Sequence, residues 1–292
     1  MGEHLLCKQG VTGSIPVRSI HDGPAMNDPL IRRFERYVAI GDSSTEGLDD
    51  PDGRGGYRGW ANRLAERIAS IQGSVLYANL GVRGLRTREI LDRQLEPALA
   101  LRPDLATLFS GTNDIVAKNF DPAQVAADVE TMQSALVAAG ATVLTFTLPD
   151  LTPVMPLARR IAPRLLALNE ALRRASAASG AILVDVALHP VASDPRLWSE
   201  DRLHANAAGH ARIAAALGHG LELPGSDAGW CDPLPDRPPP TVFERVAAEI
   251  RWGRRYLVPW MWRHALGRSS GDGRTAKRPT LESVSPGTDS RR

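Results

Sequence analysis

Two cysteines, Cys7 and Cys231, are all that 292 residues provide, and they stand near opposite ends of the chain. A pair so placed builds neither a disulfide framework nor a zinc site. Long apolar runs are missing too: none approaches the ~20 residues that a membrane span needs. The N-terminus lacks the basic-then-apolar pattern of a secretory signal, so the expected location is cytoplasmic. The formal net charge is only +2, which makes no overall case for nucleic acid as a partner. What remains is 43% hydrophobic and 23% charged, the composition of a soluble globular protein with one full-sized core.

The two ends differ from the middle. "CKQGVTGSIPVRS" has no hydrophobic periodicity and reads like the translated 3′ end of a tRNA gene; residues 1–28 are therefore assigned to a disordered or mis-annotated leader, with Met26 as the expected start. At the other end, Glu244 to Arg292 holds 11 Lys/Arg against 5 Asp/Glu, and three of the six tryptophans fall between Trp252 and Trp262. A Pro-rich linker is expected over 224–241, a short helical extension over 242–267 divided by Pro259, and disorder over 268–292, where apolar residues become scarce. Two readings of the tryptophans stay open. They dock back on the core, or together with the arginines they make a weak contact with an anionic membrane.

Between these ends, over 29–223, short β-branched and apolar runs alternate with amphipathic segments. "RYVAI", "SVLYANLG", "DLATLFSG", "ATVLTFTL" and "AILVDV" read as five strands. Helices are expected over Gly59 to Ile71, Pro122 to Ala139, Leu157 to Ala178 (interrupted or restarted at Pro163) and Asn206 to Leu217, the last with Asn206 as N-cap. Continuous apolar strands separated by helices imply a parallel five-stranded sheet covered on both faces, a doubly wound α/β/α sandwich. In such a sheet the site lies beyond the carboxyl ends of the strands.

Polar residues of a particular kind follow those ends. "GDSSTEG" (Gly41 to Gly47) follows the first strand, "NLGVRG" (Asn79 to Gly84) the second, "GTND" (Gly111 to Asp114) the third, and Asp201-x-x-His204 comes after the fifth. Singly, each has a plain structural explanation. Ser43 with Glu46 fits a capping box, Gly81 a tight turn, Asn113 a left-handed turn position, and Asp201 and His204 two unrelated loop residues. Jointly they fill the roles of acyl transfer. Ser43 is the candidate nucleophile, His204 its base and Asp201 the group that orients the imidazole. The N–H groups of Ser43 and Gly81 with the Asn113 amide are the candidate oxyanion donors.

These four blocks resemble those of the SGNH/GDSL hydrolase family over about Phe34 to Leu217, with Ser44 where many members carry an apolar residue. The resemblance implies a flavodoxin-like fold and a serine esterase acting on a small-molecule carboxylic or thioester, with catalytic Ser43, Asp201 and His204, oxyanion donors Ser43, Gly81 and Asn113, and neither metal nor cofactor. The alternative is a catalytically silent module of the same fold that uses its basic tail on anionic lipid or nucleic acid. A literal G-x-S-x-G, Gly267 to Gly271, has no strand before it and is set aside. His204 and His210 are too far apart for an i, i+4 zinc pair, and His210 reads as packing. For the substrate, Leu48 to Trp60 is expected to form a flexible polar rim and Leu151 to Met155 an apolar acyl wall.

Overall fold

The computed structural model describes residues 32–238, 241–259, 262, 271 and 273–286. The leader over 1–28, Met26 and most of the G-x-S-x-G stretch lie outside them.

Each apolar run forms a strand: β1 Arg36–Gly41, β2 Val75–Asn79, β3 Leu105–Phe109, β4 Thr142–Phe146 and β5 Ile182–Val184. β3 and β4 are buried along their whole length, as strands covered on both faces must be. The order β5-β4-β3-β1-β2-β6 is parallel throughout except at β6. Strand order reverses at β1, with β2 on one side and β3 on the other, which opens a crevice just past the end of β1. The segment that enters this crevice is α1, Ser43–Glu46.

The longer helices are α2 Gly59–Gln72, α3 Thr87–Ala100, α5 Pro122–Ala138, α6 Ala162–Ser179 and α7 Ala207–Gly220, while α4 is a single turn at Thr112–Ile115. α2 packs with α7 on one face, and α5 packs with α3 and α6 on the other. Pro163 falls in the first turn of α6, so it restarts the helix after a short 3₁₀ turn at Pro156–Arg160. α7 begins where its cap predicts, with the Asn206 carboxamide oxygen accepting from the N–H groups of Ala208 and Gly209. Between the layers, Trp60, Tyr37, Tyr77 and Phe109 are among the largest fully buried side chains. Tyr37 stacks on Tyr77 at 5.0 Å and Phe109 on Phe146 at 4.2 Å between ring centroids.

The sheet has six strands rather than the five expected. The sixth, β6 at Arg278–Val284, falls in the stretch whose composition predicts disorder, and it pairs antiparallel with β2. An edge strand needs few apolar residues of its own when a neighbour supplies a ladder of hydrogen bonds. Here Val284 alone turns fully into the core. Lys277, just before it, donates from Nζ to the carbonyls of Tyr57 and Arg58, tying the returning chain to the loop after α1. The helical extension is α8, Val242–Trp252, continued by a π-helical turn at Gly253–Leu257.

Candidate active site

Gly41 ends β1 with a φ of 152°, and a Cβ there would sit 2.4 Å from the Phe109 carbonyl oxygen and 2.2 Å from Thr45 Oγ1. Only glycine fits, and the chain turns sharply into α1. Gln94 of α3 fixes the turn by accepting from Gly41 N–H at 2.7 Å and donating to its carbonyl at 2.9 Å. Asp42, not Ser43, caps α1, its carboxylate accepting from Ser44 N–H at 2.9 Å. Ser43 is thereby the first helical residue, and its N–H has no acceptor within the helix. Glu46 is not the partner of a capping box either. It pairs with Arg83, across the crevice from β2.

The loop before α7 brings the other groups. His204 Nε2 lies 2.8 Å from Ser43 Oγ, and His204 Nδ1 lies 2.6 Å from Asp201 Oδ2. The second oxygen of Asp201 accepts from the N–H groups of Leu203 and His204 at 2.8 and 3.0 Å, so the carboxylate is held by its own loop. Burial alone would raise Asp201 and lower His204. The hydrogen bond and charge between the pair outweigh it in both cases, keeping Asp201 well below the usual carboxylate range and raising His204 above an ordinary histidine. Asp42 has no such partner: burial pushes it up to about 7 against the pull of Ser44 N–H.

Asn113 reaches the same crevice from α4. Its Nδ2 donates to the Leu85 carbonyl at 2.9 Å and, at the long distance of 3.4 Å, to Asp42 Oδ2. Gly81 is the expected residue that does not join. Its N–H donates to Asn79 Oδ1 at 2.9 Å, and a Cβ there would meet Glu46 N at 2.7 Å, so the glycine serves close packing behind α1. Gly84, with φ 80°, directly precedes Leu85, whose carbonyl Asn113 grips. Its N–H finds no acceptor among the described residues.

Asp49 escaped the sequence reading. It adopts φ 65°, and its Oδ2 lies 2.6 Å from the Ser199 hydroxyl and 3.9 Å from His204 Nδ1. Ser199 is also 2.5 Å from Asp201 Oδ1. One hydroxyl proton thus serves two carboxylates, and burial, with the Asp201 charge adding to it, raises Asp49. Asp49, Asp201 and His204 offer ligand-type atoms within 4.8 Å of one another. Both nitrogens of His204 are already engaged, one by Asp201 and one by Ser43, so the trio suits proton transfer better than holding a cation.

The expected rim and acyl wall are placed differently. Leu48 to Trp60 is pinned rather than loose. Buried His210 donates from Nε2 to Leu48 O at 2.9 Å and accepts from Trp60 N–H at 3.1 Å, while Asp50 binds Arg63 and Gly59 N–H. Burial lowers His210 to about 4, leaving it neutral for both bonds. Leu151, Val154 and Met155 are buried in the core, whereas an open cavity beside Ser43 and His204 is walled instead by Phe109, Phe146 and Leu148 among others.

Behind the loop that carries Asp201 and His204 stands α8. Trp252 Nε1 donates to the Asp201 carbonyl at 3.0 Å, the Arg202 guanidinium lies 4.7 Å from the Trp252 ring, and Arg202 pairs with Glu249. Of the two readings for the tryptophans, docking holds for Trp252. Trp260 lies outside the described residues, and Trp262 is exposed. The outer face of α8 leaves Val242, Phe243, Val246 and Ile250 exposed. No helix among the described residues is long and apolar enough to cross a membrane.

A model of the GDSL-like lipase/acylhydrolase family matches residues 39–212. No curated protein matches the chain. Several solved structures do. An acetylxylan esterase from Geobacillus stearothermophilus aligns with TM-score 0.56 and 16% identity, covering 69% of this chain and 98% of that one. A lipase/acylhydrolase from Enterococcus faecalis aligns at 0.53 and 22%, covering 69% and 100%. An alpha/beta hydrolase enzyme from the metagenome of Lake Arreo, Spain, aligns at 0.51 and 22%, covering 64% and 95%. At these identities the likeness establishes the fold.

Proposed function

The chain belongs to the GDSL-like lipase/acylhydrolase family and is a hydrolase, and from that premise we propose that it cleaves a small carboxylic or thioester through an acyl-enzyme on Ser43. His204 Nε2 takes the Ser43 proton as Oγ attacks the acyl carbon. Asp201 holds the ring with Nδ1–H directed at its carboxylate and stabilises the imidazolium that forms. The imidazolium then gives its proton to the leaving alcohol or thiol. A water deprotonated by the same nitrogen attacks the acyl-enzyme and releases the acid, restoring Ser43.

The oxyanion forms beside the N-terminus of α1. Ser43 N–H, free of an intrahelical acceptor, is one donor. Asn113 is the second, exchanging its long contact with Asp42 for the stronger one to a full negative charge. Gly84 N–H replaces that of Gly81 as the third.

The observation that carries this reading is the unbroken line from Ser43 Oγ through His204 to Asp201, with links of 2.8 and 2.6 Å. It is tested with a fluorophosphonate probe, which is expected to label the native chain on Ser43 and to leave the Ser43→Ala variant unlabelled. Equal labelling of both would remove Ser43 from the reaction.

A further inference from the structure

We propose that the cavity beside Ser43 is a slot for a medium-chain acyl group and that Trp230 is its end stop; the inference rests on the esterase reading above. The slot follows the carboxyl edge of the sheet. It starts at Ser43 after β1, passes Phe109 at the end of β3 and Phe146 and Leu148 at the end of β4, and reaches Val186 after β5. Adjacent strands lie about 4.8 Å apart, so three steps from β1 to β5 span about 14 Å. An extended chain advances about 1.2 Å per bond, and this length suits an acyl group of roughly eight to twelve carbons.

The wall chemistry agrees with an apolar occupant. The stacked rings of Phe109 and Phe146 form part of one side, and most polar side chains of the wall already have partners. Ser44 Oγ accepts from Trp60 Nε1, Thr147 Oγ1 donates to Asp185, and Arg212 Nη1 donates to the Trp230 and Asp232 carbonyls at 2.6 and 2.7 Å. Of the wall hydroxyls, that of Thr112, next to Asn113, is the buried one without a partner among the described residues. A polyhydroxylated acyl acceptor would find little to bind inside the slot; a hydrocarbon displaces water from it.

Trp230 comes from the chain after α7, outside residues 39–212 that match the family. It is fixed in three ways. Its ring meets that of His189 edge-on at 4.5 Å, its Nε1 donates to His219 Nδ1 at 3.1 Å, and its carbonyl is held by Arg212. A side chain so anchored beyond the β5 end of the slot limits chain length rather than yielding to it.

The test is the chain-length profile of kcat/KM on p-nitrophenyl esters from acetate to myristate, for the native chain, Trp230→Ala and Val191→Phe. Each buried methylene contributes about fourfold, so kcat/KM is expected to climb with length, peak between octanoate and laurate, and then fall. Trp230→Ala is expected to raise the myristate-to-acetate ratio about tenfold, and Val191→Phe, which narrows the slot in the turn after β5, to lower the laurate-to-acetate ratio by a similar factor. A melting temperature and circular dichroism spectrum close to native report an intact fold in both variants. If acetate is the best substrate, or if both variants keep the native profile, the slot and its end stop are wrong while the esterase reading stands. If the native chain hydrolyses no ester of any length, both fall together.

Discussion

The chain up to the end of α7 and the chain beyond it are held by different means. The first buries continuous apolar strands between two helical layers, so its parts are fixed by many weak contacts at once. The second reaches the body of the protein at separate places: Trp230 by the slot, Trp252 on the Asp201 carbonyl with Glu249 on Arg202, Lys277 on the loop after α1, and the β6 ladder along the edge of β2. Distributed contact sets positions that a reaction cannot tolerate losing. Point contact adjusts what is already in place, and each such contact can change without the core changing.

Ser43→Ala is the sharpest test of the first region. Its kcat/KM is expected to fall by about 10⁶-fold with the melting temperature nearly unchanged; a loss below tenfold would mean that another group performs the attack. Asp201→Asn follows, at about 10⁴-fold. It also moves the pH profile. His204 is raised chiefly by Asp201, and activity needs its neutral form, so native kcat/KM falls as pH drops through a midpoint above the ordinary histidine value of about 6.5. Without the Asp201 charge that midpoint moves to lower pH, and an unmoved midpoint would assign the titration to another group.

Asn113→Ala is expected to lower kcat by about 10²–10³ with little change in KM. A raised KM at constant kcat would make Asn113 a substrate contact instead. The second region then enters with Trp252→Phe, which keeps the ring beside Arg202 and removes the N–H that Asp201 O accepts. One neutral hydrogen bond contributes about 0.5–1.5 kcal/mol, so kcat/KM should fall by only about two- to tenfold. A thousandfold loss would erase the distinction between the two regions. EDTA should change nothing measurable, since both nitrogens of His204 are engaged within the protein.

Much of the first region can be read from residue order because its strands are self-sufficient. "ATVLTFTL" is apolar enough to be buried wherever the chain places it. Helix α3 is harder to see: Pro97 lies inside it, and its buried Gln94 and Thr87 are polar, so its inner face carries no simple apolar stripe. β6 contains Pro279 and only two residues with large apolar side chains, and its stability comes from the β2 ladder some 200 positions earlier. At the site, residue type and block order point to Ser43, Asn113, Asp201 and His204. They do not tell which glycine N–H is free, because that depends on where the Asn79 carboxamide turns. Asp49 is invisible for a similar reason: its partner Ser199 stands 150 residues away.

The antiparallel strand at the rim has a consequence for biosynthesis. β2 is complete when Asn79 leaves the ribosome, but the segment that pairs with its outer edge starts at Arg278. At about 5–20 residues per second, that edge waits roughly 10–40 s for its partner. Throughout this interval a row of unpaired amides and carbonyls faces outward, able to recruit a strand from a neighbouring nascent chain. Crowded polysomes are therefore where this protein is most exposed to misassembly, and translation of Arg278 to Val284 ends that exposure.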